Sequence, residues 1–460
     1  MANVIKLRKG LDIQLQGRAE ETRLQLKSNG RYALVPDDFE GVTPKVVVKE
    51  GDHVKAGDAL FVNKQYPQVR FASPVSGKVT AVERGERRKV LCVRVDADAQ
   101  QEFVDFGKKD VSSLDGQSVV NALLEAGLFG YIDQLPYAVS TNPETLPKAI
   151  FVSALRDKPL ACRFEYEVKG QEKDFLTGLQ ALSKIAKTYL GLGIQPDLQA
   201  QLQQMGAEQF VTLNVFDGAC PAGNVGVQVN HVDPVNKGEV VWTIGDPTVV
   251  LFIGRLLNTG KVDLHRTVAL CGSEVQKPVH VDMLVGEELS TLLSNSYDAA
   301  HSVRIINGNV LTGRQTSKEG FLGAHSSEIT VIPEGDDADE MLGWIMPRLK
   351  QFSVNRSYFS WLQSPWFCSK KKEYVADARI KGGERHMIMS GEYDRVLPMD
   401  IYGEYLIKAI ITGDIDRQEQ LGIYEVSPED FALAEFVDSS KLELQRIVRE
   451  GLNILRKENA

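Results

Sequence analysis

The chain has 460 residues, 43% of them hydrophobic, and a formal net charge of -9, enough apolar material to bury ordinary cores in about three or four domains. Its acidic balance excludes nucleic acid as the main partner, because binding phosphates needs a basic surface. No segment approaches the ~18 apolar residues that a membrane-spanning helix requires; the strongest run, Thr248 to Gly254, is stopped by Arg255, and the opening MANVIKLRKG is too briefly apolar for a secretory signal.

Between Val46 and Val82 the chain reads VVVKEGDHVKAGDALFVNKQYPQVRFASPVSGKVTAV. Glu50-Gly51-Asp52 and Ala56-Gly57-Asp58 interrupt apolar runs with a residue tolerant of positive φ beside a turn-forming acid. Val46, Val48, Val54, Leu60 and Val62 alternate with polar neighbours at a period of two. Ser73 to Val79 repeats the device, which predicts a small sandwich of short strands in two matching halves. The pattern is similar to lipoyl and biotinyl carrier domains, whose modified lysine projects from the hairpin between the halves. Here that tip is Gln65-Tyr66-Pro67-Gln68. The nearest lysine, Lys64, lacks the flanking methionines or acids that modifying enzymes read, so a static module with a plain turn lysine is expected.

From Gln117 to Gly260 strand-like and helical runs alternate: Ser118–Ala126 helical, Ala149–Ala154 extended, Phe175–Leu190 helical, Phe210–Phe216 extended, Asp246–Asn258 helical. Such alternation argues for an α/β layer with a mainly parallel sheet. Gly191-Leu192-Gly193 follows the second helical run and is read as its C-cap, since a dinucleotide loop should follow a strand and open a helix. Beyond Lys261, strands Arg266–Cys271 and Val279–Val281, a Gly272-Ser273 turn and a helical Glu287–Leu293 have the spacing of a β-grasp domain. The last part holds an aromatic-rich stretch, Trp344 to Phe367, the basic run Lys370-Lys371-Lys372, and a final helix with Leu444, Ile447, Val448, Leu452 and Leu455 on one face. That face is expected to pack against protein, because the polar side carries both signs of charge. The expected class is a multidomain mixture of α+β and α/β: a carrier-like barrel-sandwich hybrid within 1–105, a Rossmann-like domain over 106–260, a β-grasp domain over 261–335 and a mostly helical region over 336–460.

The five cysteines, at 92, 162, 220, 271 and 368, are scattered without a CxxC, which suits a reducing compartment and leaves no loop to ligate an iron–sulfur cluster or zinc. The seven histidines include no HExxH, and neither a Walker A sequence nor a GxSxG elbow is present. Asp217-Gly218-Ala219-Cys220 falls one residue short of a flavinylation motif whose threonine oxygen carries a phosphoester-linked flavin. Cysteine lacks that oxygen, and a glycine turn before Pro221 is the plainer reading. No residue is assigned to catalysis, to metal or to a bound cofactor.

Several longer motifs run through nearly the whole chain: Asp38-Phe39-Glu40-Gly41, the carrier-like repeat, Arg84-Gly85-Glu86-Arg87-Arg88, Ala222-Gly223, Gly383-Glu384-Arg385, Gly391-Glu392-Tyr393, Leu397-Pro398-Met399-Asp400 and Leu421-Gly422. Together they resemble the NqrA family, the A subunit of the bacterial Na+-translocating NADH:quinone oxidoreductase. The resemblance implies a peripheral protein, without a transmembrane helix, on the cytoplasmic face of the bacterial inner membrane. It implies a six-subunit respiratory translocase that oxidises NADH, reduces ubiquinone and exports sodium ions, with NADH, FAD, FMN, riboflavin and iron–sulfur centres held by other subunits. The implied partners are the other five subunits (B, C, D, E and F), most directly one embedded in the membrane.

The family's link to quinone directs attention to two aromatic segments, Tyr32 to Pro36 and Leu128 to Tyr137. Tyr32, Pro36, Phe129, Tyr131 and Tyr137 are candidate quinone-proximal residues, because rings stack on a quinone head and hydroxyls or backbone N–H groups bond its carbonyls. The plain alternative is an aromatic core at a domain junction. In related nucleotide-oxidising subunits a GGAGFP-type loop approaches the flavin phosphate. The corresponding Gly130 to Pro136 here has Ile132 and Leu135 in the way and Asp133 to repel a phosphate, which reads as a degenerate flavin site. Arg84, Arg87 and Arg88, with Lys370, Lys371 and Lys372, are candidate docking residues for acidic partner surfaces or the anionic leaflet, against the commoner explanation of solvated charged loops. Two other classes compete. The C subunit of the Rnf-type ferredoxin:NAD+ oxidoreductase needs cysteine clusters that this chain lacks, and a swinging-arm carrier would show a fixed mass increment on Lys64.

Overall fold

Turn chemistry sets the carrier-like module. The Lys49 N–H donates to Asp52 and the Lys55 N–H to Asp58, each at 2.7 Å, so each Gly-Asp pair closes its own turn, with Gly51 at φ 96° and Gly57 at φ 102°. The computed structural model describes residues 3–336, 346–349, 351–354, 358–360 and 372–459. In it these turns connect two antiparallel sheets. One holds Pro44–Val46, Ala59–Asn63 and Arg70–Ala72; the other holds Arg31–Leu34, Val90–Ala97, Gly77–Arg84 and His53–Val54. Leu60, Phe61, Phe71, Val79 and Val93 are fully buried in one core with them.

The alternating region builds a seven-stranded sheet in the order Asn3–Lys6, Thr212–Asp217, Lys187–Leu192, Ala149–Ser153, Val241–Ile244, Asp133–Leu135, Val139–Ser140. The first five strands are parallel and the last two antiparallel. Residues 3–6 thus enter this sheet before the chain builds the carrier-like module. Arg23–Leu24 likewise pairs with Val279–Leu284 in a fourth, six-stranded sheet. Strands this short carry no periodicity to announce them.

The helix expected over Phe175–Leu190 instead spans Glu172–Ile185. Ala186 is extended (φ -155°, ψ 170°), and Lys187–Leu192 is a central parallel strand with every residue after Lys187 buried. A strand buried on both faces reads as an unbroken apolar run, which periodicity does not separate from a helix. Gly191 is therefore a strand residue rather than a cap, and a Cβ there would collide with the Gln228 side chain. The expected helix Glu287–Leu293 is also corrected: it is a series of turns. Glu287 and Glu288 bridge to Tyr32 and Phe321, which engages the backbone where a helix would start.

The six-stranded sheet runs Arg314–Thr316, Val303–Asn307, Glu328–Pro333, His265–Cys271, Val279–Leu284, Arg23–Leu24. The last region is non-helical over the described residues 372–392 and helical beyond them, with Gly403–Thr412, Ile415–Gln420, Ala432–Val437 and Leu444–Glu458. Leu444, Val448, Leu452 and Leu455 are fully buried, Ile447 partly, in a core shared with Leu7, Phe216 and Val227 of the parallel-sheet region. Most of Trp344 to Phe367 lies outside the described residues.

Helices Glu172–Ile185 and Thr248–Thr259 approach so closely that both need a glycine at the crossing. A Cβ on Gly178 would collide with the Val250 carbonyl, and one on Gly254 with the Asp174 carbonyl. Gly254→Ala gains helix propensity worth about 1 kcal/mol, yet overpacking should dominate and leave a net destabilisation of about 1–3 kcal/mol. Urea unfolding checks this, and a more stable variant would refute the close approach.

Candidate functional site

The carboxyl ends of the parallel strands open into one cavity. The chain steps outward from Ala149–Ser153 through Lys187–Leu192 to Thr212–Asp217, then returns to Val241–Ile244 on the other side of the first strand. At such a reversal the following loops diverge and leave a crevice. Leu155, Arg156, Asp157 and Lys158 follow one of the two diverging strands, Gly245 and Asp246 the other, and they border a cavity of about 490 Å³. Asp38 and Glu40 close it from the carrier-like module, Arg314 and His325 from the six-stranded sheet, and Glu429 and Arg449 from the helical region.

A buried ion network lies beneath it. The Arg156 guanidinium is 2.7 Å from Glu167 and 2.8 Å from Asp246, and Arg266 is 2.9 Å from Asp246, with every one of these side chains at most 9% exposed. The Thr248 hydroxyl accepts from Arg156 at 2.7 Å and donates to Glu167 at 3.1 Å. Burial alone would push the Asp246 carboxyl up, but Arg266 and Arg156 hold it well below the usual carboxylate range. Burial likewise opposes the charge on Arg156, and Glu167 and Asp246 outweigh it.

The Tyr131 ring lies 5.0 Å from Phe39 and 5.5 Å from His325. Burial pushes the His325 imidazole down to about 4, so the ring is neutral near pH 7. Burial also pushes the Tyr131 phenol above its ordinary value, so it keeps its proton, and its buried hydroxyl has no hydrogen-bond partner among the described residues. The cations lining the cavity are engaged within the protein. Arg156 serves the network, Lys158 pairs with Glu429, Arg314 donates to the Asp37 carbonyl at 2.9 Å, and Arg449 donates to the Tyr137 and Ala138 carbonyls at 2.9 Å each. Tyr131 thus borders the cavity with a neutral, buried phenol, beside cations that already have partners.

Of the five aromatic-segment candidates, the structure brings Tyr131 alone to this cavity. Tyr32 lines a separate cleft with Arg31, Arg94 and Phe321, its hydroxyl 2.9 Å from Ser28 Oγ. Phe129 is fully buried, edge-on to Trp242 at 5.4 Å. Pro36 is buried at the head of a single 3-10 turn. Tyr137 is half-buried at φ 86°. Arg84, Arg87 and Arg88 are exposed at the tip of the hairpin joining Gly77–Arg84 to Val90–Ala97; Arg87 and Arg88 hold positive φ of 51° and 60°, and Arg84 donates to the Arg88 carbonyl at 3.3 Å. Lys372 reaches the Leu349 carbonyl and lies 5.3 Å above the Tyr374 ring, while Lys370 and Lys371 lie outside the described residues. The ion network and His325 belong to no motif; the only available signal was the position of Arg156 and Asp246 just past strand ends.

Lys64 is exposed, with its N–H bonded to the Thr43 carbonyl at 2.7 Å. Tyr66 packs against the core, and Gln68 shares a cleft with Ser118 and Asn121 of helix Gly116–Glu125. Among the described residues, no group of three or more His, Cys, Asp or Glu could hold a metal ion, and no helix is long and apolar enough to cross a membrane.

Three family descriptions match the chain: the NqrA N-terminal barrel-sandwich hybrid domain over residues 5–98, the NqrA second alpha/beta domain over 114–262, and the NQRA C-terminal domain over 267–318. Relatives named as the A subunit of Na(+)-translocating NADH-quinone reductase match from end to end. That of Photorhabdus laumondii is 32% identical over 458 residues, that of Serratia proteamaculans 33% over 468 and that of Haemophilus influenzae 32% over 466, each covering 99% of this chain and 100% of the relative. A solved NAD+-reducing [NiFe]-hydrogenase aligns at 14% identity and a TM-score of 0.38, over 76% of this chain and 62% of that one, a likeness too slight to bear on fold or chemistry. The mixed α/β architecture, the carrier-like module and this end-to-end similarity agree, and the chain belongs to the NqrA family, the A subunit of Na(+)-translocating NADH-quinone reductase.

Proposed function

We propose that the chain works as the peripheral A subunit of a Na+-translocating NADH:quinone reductase, at the cytoplasmic face of the inner membrane, joining the B, C, D, E and F subunits without carrying out chemistry alone. The full-length similarity to relatives of that name carries this reading. In it, 1–105 forms the carrier-like region, 106–260 a Rossmann-like domain, 261–335 a β-grasp domain and 336–460 the helical region. The parallel strand order with its reversal supports the second of these, and the mixed six-stranded sheet supports the third.

A quinone head contacting Tyr131 is the ligand reading that the cavity supports best, because the unpartnered phenol would donate to a quinone carbonyl. The degenerate flavin reading also has support. Asp133–Leu135 is a strand laddered to Val241–Ile244 on one side and Val139–Ser140 on the other, so its backbone is engaged in the sheet. Burial pushes the Asp133 carboxyl up to about 7, with Arg449 partly opposing. A pKa raised on folding means that the folded form holds the proton more tightly. The stability linked to that proton is complete below the unfolded value near ~4 and is lost as the pH rises through about 7.

Tyr131→Phe should weaken binding of a short-chain ubiquinone to the purified protein by roughly tenfold, the loss of one hydrogen bond of about 1 kcal/mol or slightly more; equilibrium titration with unchanged affinity would exclude the phenol. For Asp133→Asn, the melting-temperature advantage over the parent should grow by roughly 2–4 °C between pH 5 and pH 8, and a constant difference would contradict the sign worked out above. Arg87→Glu with Arg88→Glu should reduce recovery of the other subunits in co-purification at least several-fold if the hairpin docks, and full recovery counts against docking there.

A further inference from the structure

The helix Val225–Val232 directs its amino end at the cavity, and two carboxylates stand beside that end. In parallel α/β sheets the head of such a helix receives phosphate or carboxylate groups, on free N–H donors and the positive end of the helix dipole. Here the Gly223 N–H donates to Asp157 Oδ2 at 2.7 Å. A Cβ on Gly223 would collide with the Asp157 carboxylate, and one on Gly226 with the carboxylate of Asp430.

Asp430 arrives from the helical region and is 1% exposed. Its Oδ2 accepts from the Ser427 N–H and hydroxyl, both at 2.8 Å, and its Oδ1 accepts from the Asn224 side-chain amide at 3.1 Å. Asn224 also donates to the Glu429 carbonyl at 3.2 Å, and Lys158 pairs with the Glu429 carboxylate. Two carboxylates from different regions of the chain thus converge on one helix head, and the flanking turn is bonded down on both sides.

We propose that Asp157 and Asp430 form a built-in anion that occupies the helix head in place of a phosphate-bearing ligand, and that the Ser427–Asp430 turn uses this contact to latch the helical region over the cavity. Free phosphates and nucleotides are thereby excluded from a helix head that the protein's own carboxyl groups fill. This proposal goes beyond the function proposed above and is independent of any quinone contact at Tyr131.

Inorganic pyrophosphate is the probe, added to the purified full-length chain, with calorimetric titration and amide hydrogen exchange as readouts. The parent should bind it no better than it binds chloride. Asp157→Asn with Asp430→Asn removes both charges and keeps the side-chain shapes, and it should bind pyrophosphate at least tenfold more tightly than the parent, with slowed exchange at 223–228. Pyrophosphate binding by the parent, or a folded double variant with no gain, overturns the built-in anion. Glu429→Gln keeps both carboxylates and removes only the Lys158 pair, so exchange at 427–431 should rise at least threefold without pyrophosphate binding. Unchanged exchange there overturns the latch, including in the case where the double variant fails to fold.

Discussion

Two arginines and two carboxylates, Arg156, Arg266, Glu167 and Asp246, hold the parallel sheet and the six-stranded sheet in one arrangement. Removing one partner from a buried pair leaves an uncompensated charge and costs about 3–5 kcal/mol, so the network tolerates few alternatives. It is tied to the six-stranded sheet by more than charge. The Arg266 guanidinium donates to the Ala324 carbonyl at 2.9 Å, and the Thr267 N–H donates to Glu167 at 3.2 Å. The cavity above it owes its position to the strand reversal, and Arg156 at its border is committed to this pairing.

Phe39 performs the apolar counterpart of that role. Its ring lies 4.4 Å from Phe71 in the carrier-like core, 5.0 Å from Tyr131 beside the parallel sheet and 5.8 Å from His325 next to the six-stranded one. Aromatic pairs at these separations add about 0.5–1.5 kcal/mol each beyond the area they bury. The module is anchored this way at one end, while its hairpin tip is exposed at Lys64, Gln65, Pro67 and Gln68.

Much of this was legible in the residues, for reasons that also explain what was not. Gly-Asp turns and period-two alternation are local signals, and they placed the carrier-like strands correctly. The amphipathic stripe from Leu444 to Leu455 is equally local, since one face must find a core. Lys187–Leu192 was hidden because a central strand buried on both faces has no polar alternation. The site was hidden for a different reason: Arg156, Asp246, His325 and Asp430 lie far apart in the chain and are brought together by topology, so no spacing advertises them. Tyr131 was picked out for its ring, and Tyr32, Phe129 and Pro36 share its character without sharing its cavity, which residue type alone does not distinguish.

Asn3 pairs with Asn214 and Lys6 with Asp217. These residues leave the ribosome well before the strand that they border, so the outermost parallel position of the sheet stays vacant until nearly half of the polypeptide has been made. Fusing a bulky partner just ahead of this segment would burden a late-filled slot in the sheet, a reason to attach labels elsewhere.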